Sequence, residues 1–169
     1  MRAEEFSKNI LGVDPQIRFA GIMEKSGHLY AGGMREGKEE YLRGRSPEIS
    51  FAQTAYVVDL RKMFSSELGE LKYVVYAHDK VKLFSIVVKD HILVFSAEST
   101  ADIEDLTKKV LEYVESVKTD LSLYPPANIV NNEKKEILRN LHESGMSEDI
   151  IAEQLDLDLN MVKMLIQQM

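Results

Sequence analysis

The stretch "HLYAGGMREGKEE", His28 to Glu40, sets Gly32, Gly37 and Lys38 in the order G-x-x-x-x-G-K. A loop of that spacing cradles nucleotide phosphates when a Ser or Thr follows the lysine to hold magnesium and a helix begins there. Here Glu39 and Glu40 follow instead. Two carboxylates repel phosphate, and Gly44 and Pro47 leave little room for the required helix. The glycines are better explained as backbone devices, with Gly32 and Gly33 expected where a strand bends off its sheet.

Other chemistry fares no better. His78 and His91 each stand beside an aspartate, but they fall in turns at opposite ends of one strand, about 30 Å apart at about 3.3 Å per residue. They cannot share a metal within one chain. His28 and His142 complete no H-x-H or H-E-x-x-H spacing, so solvated turn histidines are expected. Ser26 and Ser85 lack a nucleophile-elbow motif. With no cysteine in the chain, thiolate chemistry, disulfides and thiolate zinc sites are excluded, and a reducing cytoplasmic setting is expected. No catalytic residue, cofactor or metal is expected. Arg35, Lys38, Arg43 and Arg45 form the only dense basic stretch, a candidate anion or acidic-partner loop. Glu36, Glu39, Glu40 and Glu48 interleave with them, which equally suits a solvated loop.

The elements that would carry these residues can be read from periodicity. Phe6, Ile10 and Leu11 have helical spacing, with Gly12 as the stop and Pro15 beyond. Ile17 to Glu24 and His28 to Gly32 alternate about the turn Lys25-Ser26-Gly27, as a hairpin does. Ser46 as N-cap with Pro47 after it, and Gly69 as stop, delimit a helix whose core stripe is Ile49, Ala52, Tyr56, Leu60, Met63 and Phe64. Phe51, Ala55 and Val58 widen that stripe. "LKYVVYA", "VKLFSIVV" and "HILVFSA" read as an antiparallel meander. Ser99 with Asp102 opens a last helix in the manner of a capping box, its stripe being Ile103, Leu106, Val110, Val114 and Val117. The result is an α+β domain over residues 1–120, a five-stranded antiparallel sheet with packed helices in the order α-β-β-α-β-β-β-α.

"LSLYPPANIVNN", residues 121–132, reads as a linker. Residues 133–169 then hold three short helical patterns, Lys134 to His142, Ser147 to Leu155 and Leu159 to Gln168, capped at Ser147 and Asp158. The last two suggest a helix-turn-helix. Its outer face would carry Asn160, Lys163, Met164 and Gln167. Four basic and eight acidic residues give this tail a net charge of -4 within a chain of -7. That balance disfavours DNA, whose phosphates require clustered Lys and Arg. Met161, Met164 and Met169 suit an apolar groove on a protein partner, or packing within the protein. No apolar run approaches the roughly 20 residues of a membrane span.

The order of elements, with the small hairpin "FAGIMEKSGHLYAGG" after a short first helix, resembles the roadblock and dynein light chain superfamily, which shares its sheet with profilin-like folds. "VDPQIRFAGI", "SGHLYAGGMREG" and "LGELKYVVYAHDKVKLFSIVV" also resemble an uncharacterised family from ammonia-oxidising archaea. The roadblock resemblance implies a non-enzymatic homodimeric module that binds proteins, small GTPases among them, or serves as a scaffold. It also implies a central helix in the dimer interface, to which Phe51, Ala55 and Val58 are assigned. The tail is no part of that basic module. It supports the alternative of a dimeric helix-turn-helix transcription regulator with an N-terminal sensor or dimerisation domain.

Overall fold

The computed structural model describes residues 1–121, 123, 132–155, 157 and 159–167. It divides into two compact units, residues 1–124 and 125–169. The first runs α1 (Ala3–Val13), β1 (Ile17–Met23), β2 (Leu29–Met34), α2 (Ser46–Lys62), α3 (Ser65–Leu68), β3 (Tyr73–Ala77), β4 (Val81–Val88), β5 (His91–Glu98) and α4 (Ile103–Val117). The strands form one antiparallel sheet in the order β2-β1-β5-β4-β3. Hairpin and meander therefore join through β1 and β5, which makes the last strand central.

Alternation along the strands gives the sheet two apolar faces. On one, Ala20, Ile22, Phe84, Ile86, Leu93 and Phe95 pack with Phe6 and Ile10 of α1 and Leu106, Val110 and Val114 of α4. Phe84 and Phe95 face each other across β4 and β5, and their rings stack 4.5 Å apart. Asp102, not Ser99, caps α4, accepting the Asp105 N–H at 2.8 Å. Helix α1 runs through Gly12 and ends at Val13, with Asp14 as its C-cap. Its last carbonyl oxygens lack helical partners. The Arg35 guanidinium supplies them, donating to the carbonyls of Leu11 and Asp14 and, through Nε, to that of Ile17.

The other face carries a smaller core: Met23, Ile92 and Val94 of the sheet, Ala55 and Val58 of α2, and the flanking Phe19, Leu29 and Phe51. Gly21 and Gly32 lie opposite each other in β1 and β2. A Cβ on Gly32 would stand 2.7 Å from the Gly21 Cα, and one on Gly21 would stand 2.7 Å from the Leu29 side chain. The Phe19 ring occupies the space so released and stacks on Phe51 at 6.1 Å. Gly32 and Gly33 thus sit inside β2, and the one irregularity in its pairing with β1 falls at Ile22/Met23.

Helix α2 differs from expectation in three respects. Arg45, not Ser46, is its N-cap, and Pro47 sits in the first turn. The helix stops at Lys62, and α3 follows after a break instead of one helix running to Leu68. Its rotation is also reversed. Ala55 and Val58, 3% and 2% exposed, pack on the sheet with half-buried Phe51, whereas Ile49, Tyr56, Leu60, Met63 and Phe64 are exposed. The residues assigned to a subunit interface are those held by the chain's own sheet. The small Ala55 side chain and the Phe19–Phe51 stack favour that face, because a close-packed interior rewards shape as well as apolarity.

The second unit comprises α5 (Asn132–Glu143), α6 (Glu148–Leu155) and α7 (Leu159–Gln167). Its core is Leu138, Ile151, Ala152, Met161, Val162 and Leu165. Met161 is 6% exposed and so belongs to this core, not to a partner-binding surface. Within the expected linker, Leu121 and Leu123 belong to the first unit's core, and the Lys89 Nζ donates to the Leu121 carbonyl at 2.7 Å. The rest of that linker up to residue 131, the expected cap Asp158, and Gln168 and Met169 lie outside the described residues.

Candidate interaction surfaces

Among the described residues, no three His, Asp or Glu side chains are grouped so as to hold a metal ion. His28, His78 and His142 are exposed. His91 is not the solvated turn residue expected from the sequence. It opens β5, is 6% exposed, and meets the Tyr30 ring edge-on at 5.7 Å.

The basic loop after β2 spends much of its charge on the fold. Arg35 holds the end of α1. Lys38 pairs with Glu98 of β5 at 2.7 Å, which removes it from any phosphate. Arg18, which periodicity places simply within a strand, is the centre of the arrangement. Its buried guanidinium donates to Glu98 at 2.8 Å and to the Glu39 carbonyl at 2.8 Å, and lies 4.3 Å from the centre of the Tyr41 ring. A cation against an aromatic face in a partly desolvated setting adds to the ion pair. Of the four cations proposed for an anion site, Arg43 is exposed and paired with Glu39 at 3.0 Å. Arg45 is exposed at the start of α2.

Two carboxylates are held below their usual range. For Glu98 the largest cause is the Lys38 hydrogen bond, followed on the lowering side by Arg18. For Asp14 it is the Gln16 backbone N–H, followed by Lys109, which donates at 3.0 Å. Both pairs join elements of the sheet domain.

Among the described residues, large apolar side chains are exposed along the outer side of α2. Ile49, Tyr56, Leu60 and Met63 recur at spacings of seven, four and three, with Gln53 between the first two, so they form one stripe. Tyr56 is 65% and Met63 72% exposed. Phe64 and Leu68 extend apolar exposure beyond α2, and Tyr73 and Tyr76 on the edge strand β3 are exposed as well. A run of large apolar side chains left in water is the mark of an interaction site.

In the second unit, Lys163, Met164 and Gln167 are exposed on α7, while the Asn160 side chain lies outside the described residues. A groove of about 400 Å³ beside them is lined in part by Met146, Glu148, Asp149, Leu159 and Lys163. Asp149 is held low first by the Ser147 hydroxyl, with Lys163 contributing its charge. The exposed lysine of α7 thus shares its groove with two carboxylates, Glu148 and Asp149. That is a poor start for phosphate contact.

A five-stranded antiparallel sheet with α1 and α4 on one face and α2 on the other is the arrangement of the roadblock/profilin-like fold, and solved structures agree. A Roadblock/LC7 domain from Streptomyces avermitilis is 17% identical, over 71% of this chain and 98% of that one, with a TM-score of 0.55. The gliding protein MglB from Thermus thermophilus is 16% identical, over 69% and 86%, with a TM-score of 0.57. Profilin from Schizosaccharomyces pombe is 14% identical, over 70% and 98%, with a TM-score of 0.50. At these identities the likeness is one of fold. The chain belongs to DUF6659, a family of unknown function whose model matches residues 2–121. No curated protein matches the sequence. Among the described residues no helix is long and apolar enough to cross a membrane.

The low carboxylates fix the sign of an acid transition. A group whose folded pKa lies below its unfolded value, about 4 for Asp and Glu, stabilises the fold above that value and loses the contribution as pH falls through the lower folded one. The melting temperature should therefore hold near neutrality and fall below about pH 4. Glu98→Gln should lower the neutral value and flatten the acid slope. Calorimetry from about pH 2 to 8, a range that spans carboxylate titration, reads both effects. An acid slope unchanged in Glu98→Gln would contradict the assignment.

Proposed function

We propose that the chain is a non-catalytic regulatory or scaffold module that forms a homodimer through the outer face of α2 and binds a protein partner. The exposed stripe Ile49, Tyr56, Leu60 and Met63 carries this reading. It replaces Phe51, Ala55 and Val58 as the interface, since those side chains are spent on the sheet core. Two α2 helices crossing about a two-fold axis would make an isologous contact, the commonest way for identical chains to close. A solved MglB described as having a tetrameric arrangement, 15% identical with a TM-score of 0.57, supports the idea that this fold supplies assembling surfaces. A small GTPase is the partner class suggested by the roadblock resemblance. A cytoplasmic setting accords with a chain that has no cysteine.

Charge reversal on the two sides of α2 should give opposite phenotypes. Leu60→Glu on the outer stripe should yield a folded monomer, because an unpaired buried charge costs several kcal/mol, on the order of a modest dimer's affinity. Val58→Glu should unfold the domain, since the same charge would enter the chain's own core. Sedimentation equilibrium with circular dichroism distinguishes them. A Leu60→Glu protein that dimerises like the wild type would overturn the α2 interface.

The geometry of α6 and α7, two helices joined through residues 156–158 with a shared core, favours a second reading for the tail. It would be a DNA-reading helix-turn-helix on a dimeric base. Its acidic surroundings argue instead for a protein-binding tail. On that account Met164→Asp should abolish partner capture while Lys163→Glu is nearly silent, with little salt dependence. Specific duplex binding by the full chain tighter than about 0.1 μM at physiological salt, lost in Lys163→Glu, would favour the regulator.

A further inference from the structure

The β1–β2 turn and the outer helix α2 are coupled through backbone atoms. Gly27 has φ +88°, and a Cβ placed on it would stand 2.8 Å from the Ala52 Cα, 3.0 Å from the Ala52 nitrogen and 3.2 Å from the Phe51 carbonyl carbon. None of these is the far end of a flexible side chain. Relief would require the turn or the helix to move as a body, because packed interiors transmit strain rather than absorb it.

The turn is itself well tied. The Gly27 N–H donates to the Glu24 carbonyl at 3.0 Å, and the Ser26 hydroxyl bridges Glu24 and the His28 N–H. Lys25 pairs with Asp90 of the β4–β5 turn at 3.1 Å. Lys25, Ser26 and His28 are exposed, so the turn can be reached from solvent. The helix, by contrast, rests on the smaller of the sheet's two cores.

We propose that the hairpin turn from Glu24 to His28 is a control point for the partner-binding face of α2. A contact that displaces the backbone at Gly27 moves α2 at Phe51 and Ala52, and with it Tyr56 and Leu60 one to two turns further on. The consequence for partner binding rests on the dimer reading above; the coupling itself does not.

Gly27→Ala tests this in the full chain beside two controls. Gly37→Ala imposes a comparable backbone penalty, at φ +76°, with nothing within 4 Å of the added Cβ, and Gly33→Ala adds a Cβ in open space. Hydrogen exchange over residues 46–62 reads the helix, and sedimentation equilibrium reads the dimer. The expected result is about tenfold faster exchange in α2 and about tenfold weaker self-association for Gly27→Ala, with both controls like the wild type. Exchange in Gly27→Ala no faster than in Gly37→Ala would overturn the coupling. Faster exchange with an unchanged dimer constant would overturn control of the partner face. A wild-type chain that stays monomeric refutes the dimer reading, and the exchange comparison still decides the coupling. Should Gly27→Ala fail to fold, Asp90→Ala loosens the turn without adding an atom. Exchange spreading from the turn into residues 46–55 then supports the proposal, and exchange confined to the turn contradicts it.

Discussion

The α2 side of this domain depends on close backbone approach at three glycines, Gly21, Gly27 and Gly32, where a methyl group would strike a main-chain atom or a packed side chain. Gly21 and Gly32 leave a gap in the sheet surface that the Phe19 ring fills, and Phe19 supplies the platform for Phe51. Gly27 lets the hairpin turn lie against the helix backbone. Once these contacts fix the height and rotation of α2, Ala55 and Val58 must face the sheet. Ile49, Tyr56, Leu60 and Met63 are then left in water. Burial returns roughly 25 cal/mol for each Å² of apolar surface removed from solvent, so such a stripe favours association.

The opposite face and the connecting loop have a different economy. Arg18, Arg35, Lys38 and Lys109 each end on a carboxylate or on backbone carbonyls: the first three tie β1, β5, the end of α1 and the loop before α2 together, and Lys109 ties α4 to the end of α1. Burying a guanidinium is costly unless its donors are satisfied. Arg18 meets that condition with a carboxylate, a carbonyl and an aromatic face. Two of the loop's four cations, Arg35 and Lys38, are thereby committed to structure, while Arg43 and Arg45 remain exposed.

The sheet and its helices are legible in the sequence because period-two and near-3.6 patterns are local. The hairpin, the meander and the α4 stripe can be read from neighbouring residues alone. The facing of α2 cannot. Phe51, Ala55 and Val58 recur at helical spacing, and so do Ile49, Tyr56 and Leu60, so periodicity gives two candidate inner faces. The choice is made by Gly27 and Phe19, which are distant in sequence and act through shape. The roles of Arg35, Lys38 and Arg18 are hidden for a related reason: their partners, the end of α1 and Glu98, meet them only after the sheet closes. His91 reads as solvated because aspartate and lysine precede it, yet the strand begins at that residue and points it inward. The cap of α4 falls three residues later than expected, since Ser99 and Asp102 are both acceptable N-caps and only the hydrogen bond to Asp105 separates them.

The proposed dimer brings two chains together on the outer stripe of α2, and a sequence without cysteine allows a direct test. Gln53 lies on that stripe between Ile49 and Tyr56 and is exposed, whereas Lys108 is exposed on α4, which packs on the opposite face of the sheet. In an isologous contact the same patch of both chains meets about the two-fold axis, so the two copies of a stripe residue come within reach of each other. Single-cysteine proteins carrying Gln53→Cys or Lys108→Cys, treated at low concentration with a short bis-maleimide, should differ plainly: the first should yield a covalent dimer and the second should stay monomeric. Equal cross-linking of the two, or cross-linking only through position 108, would contradict a dimer built on α2.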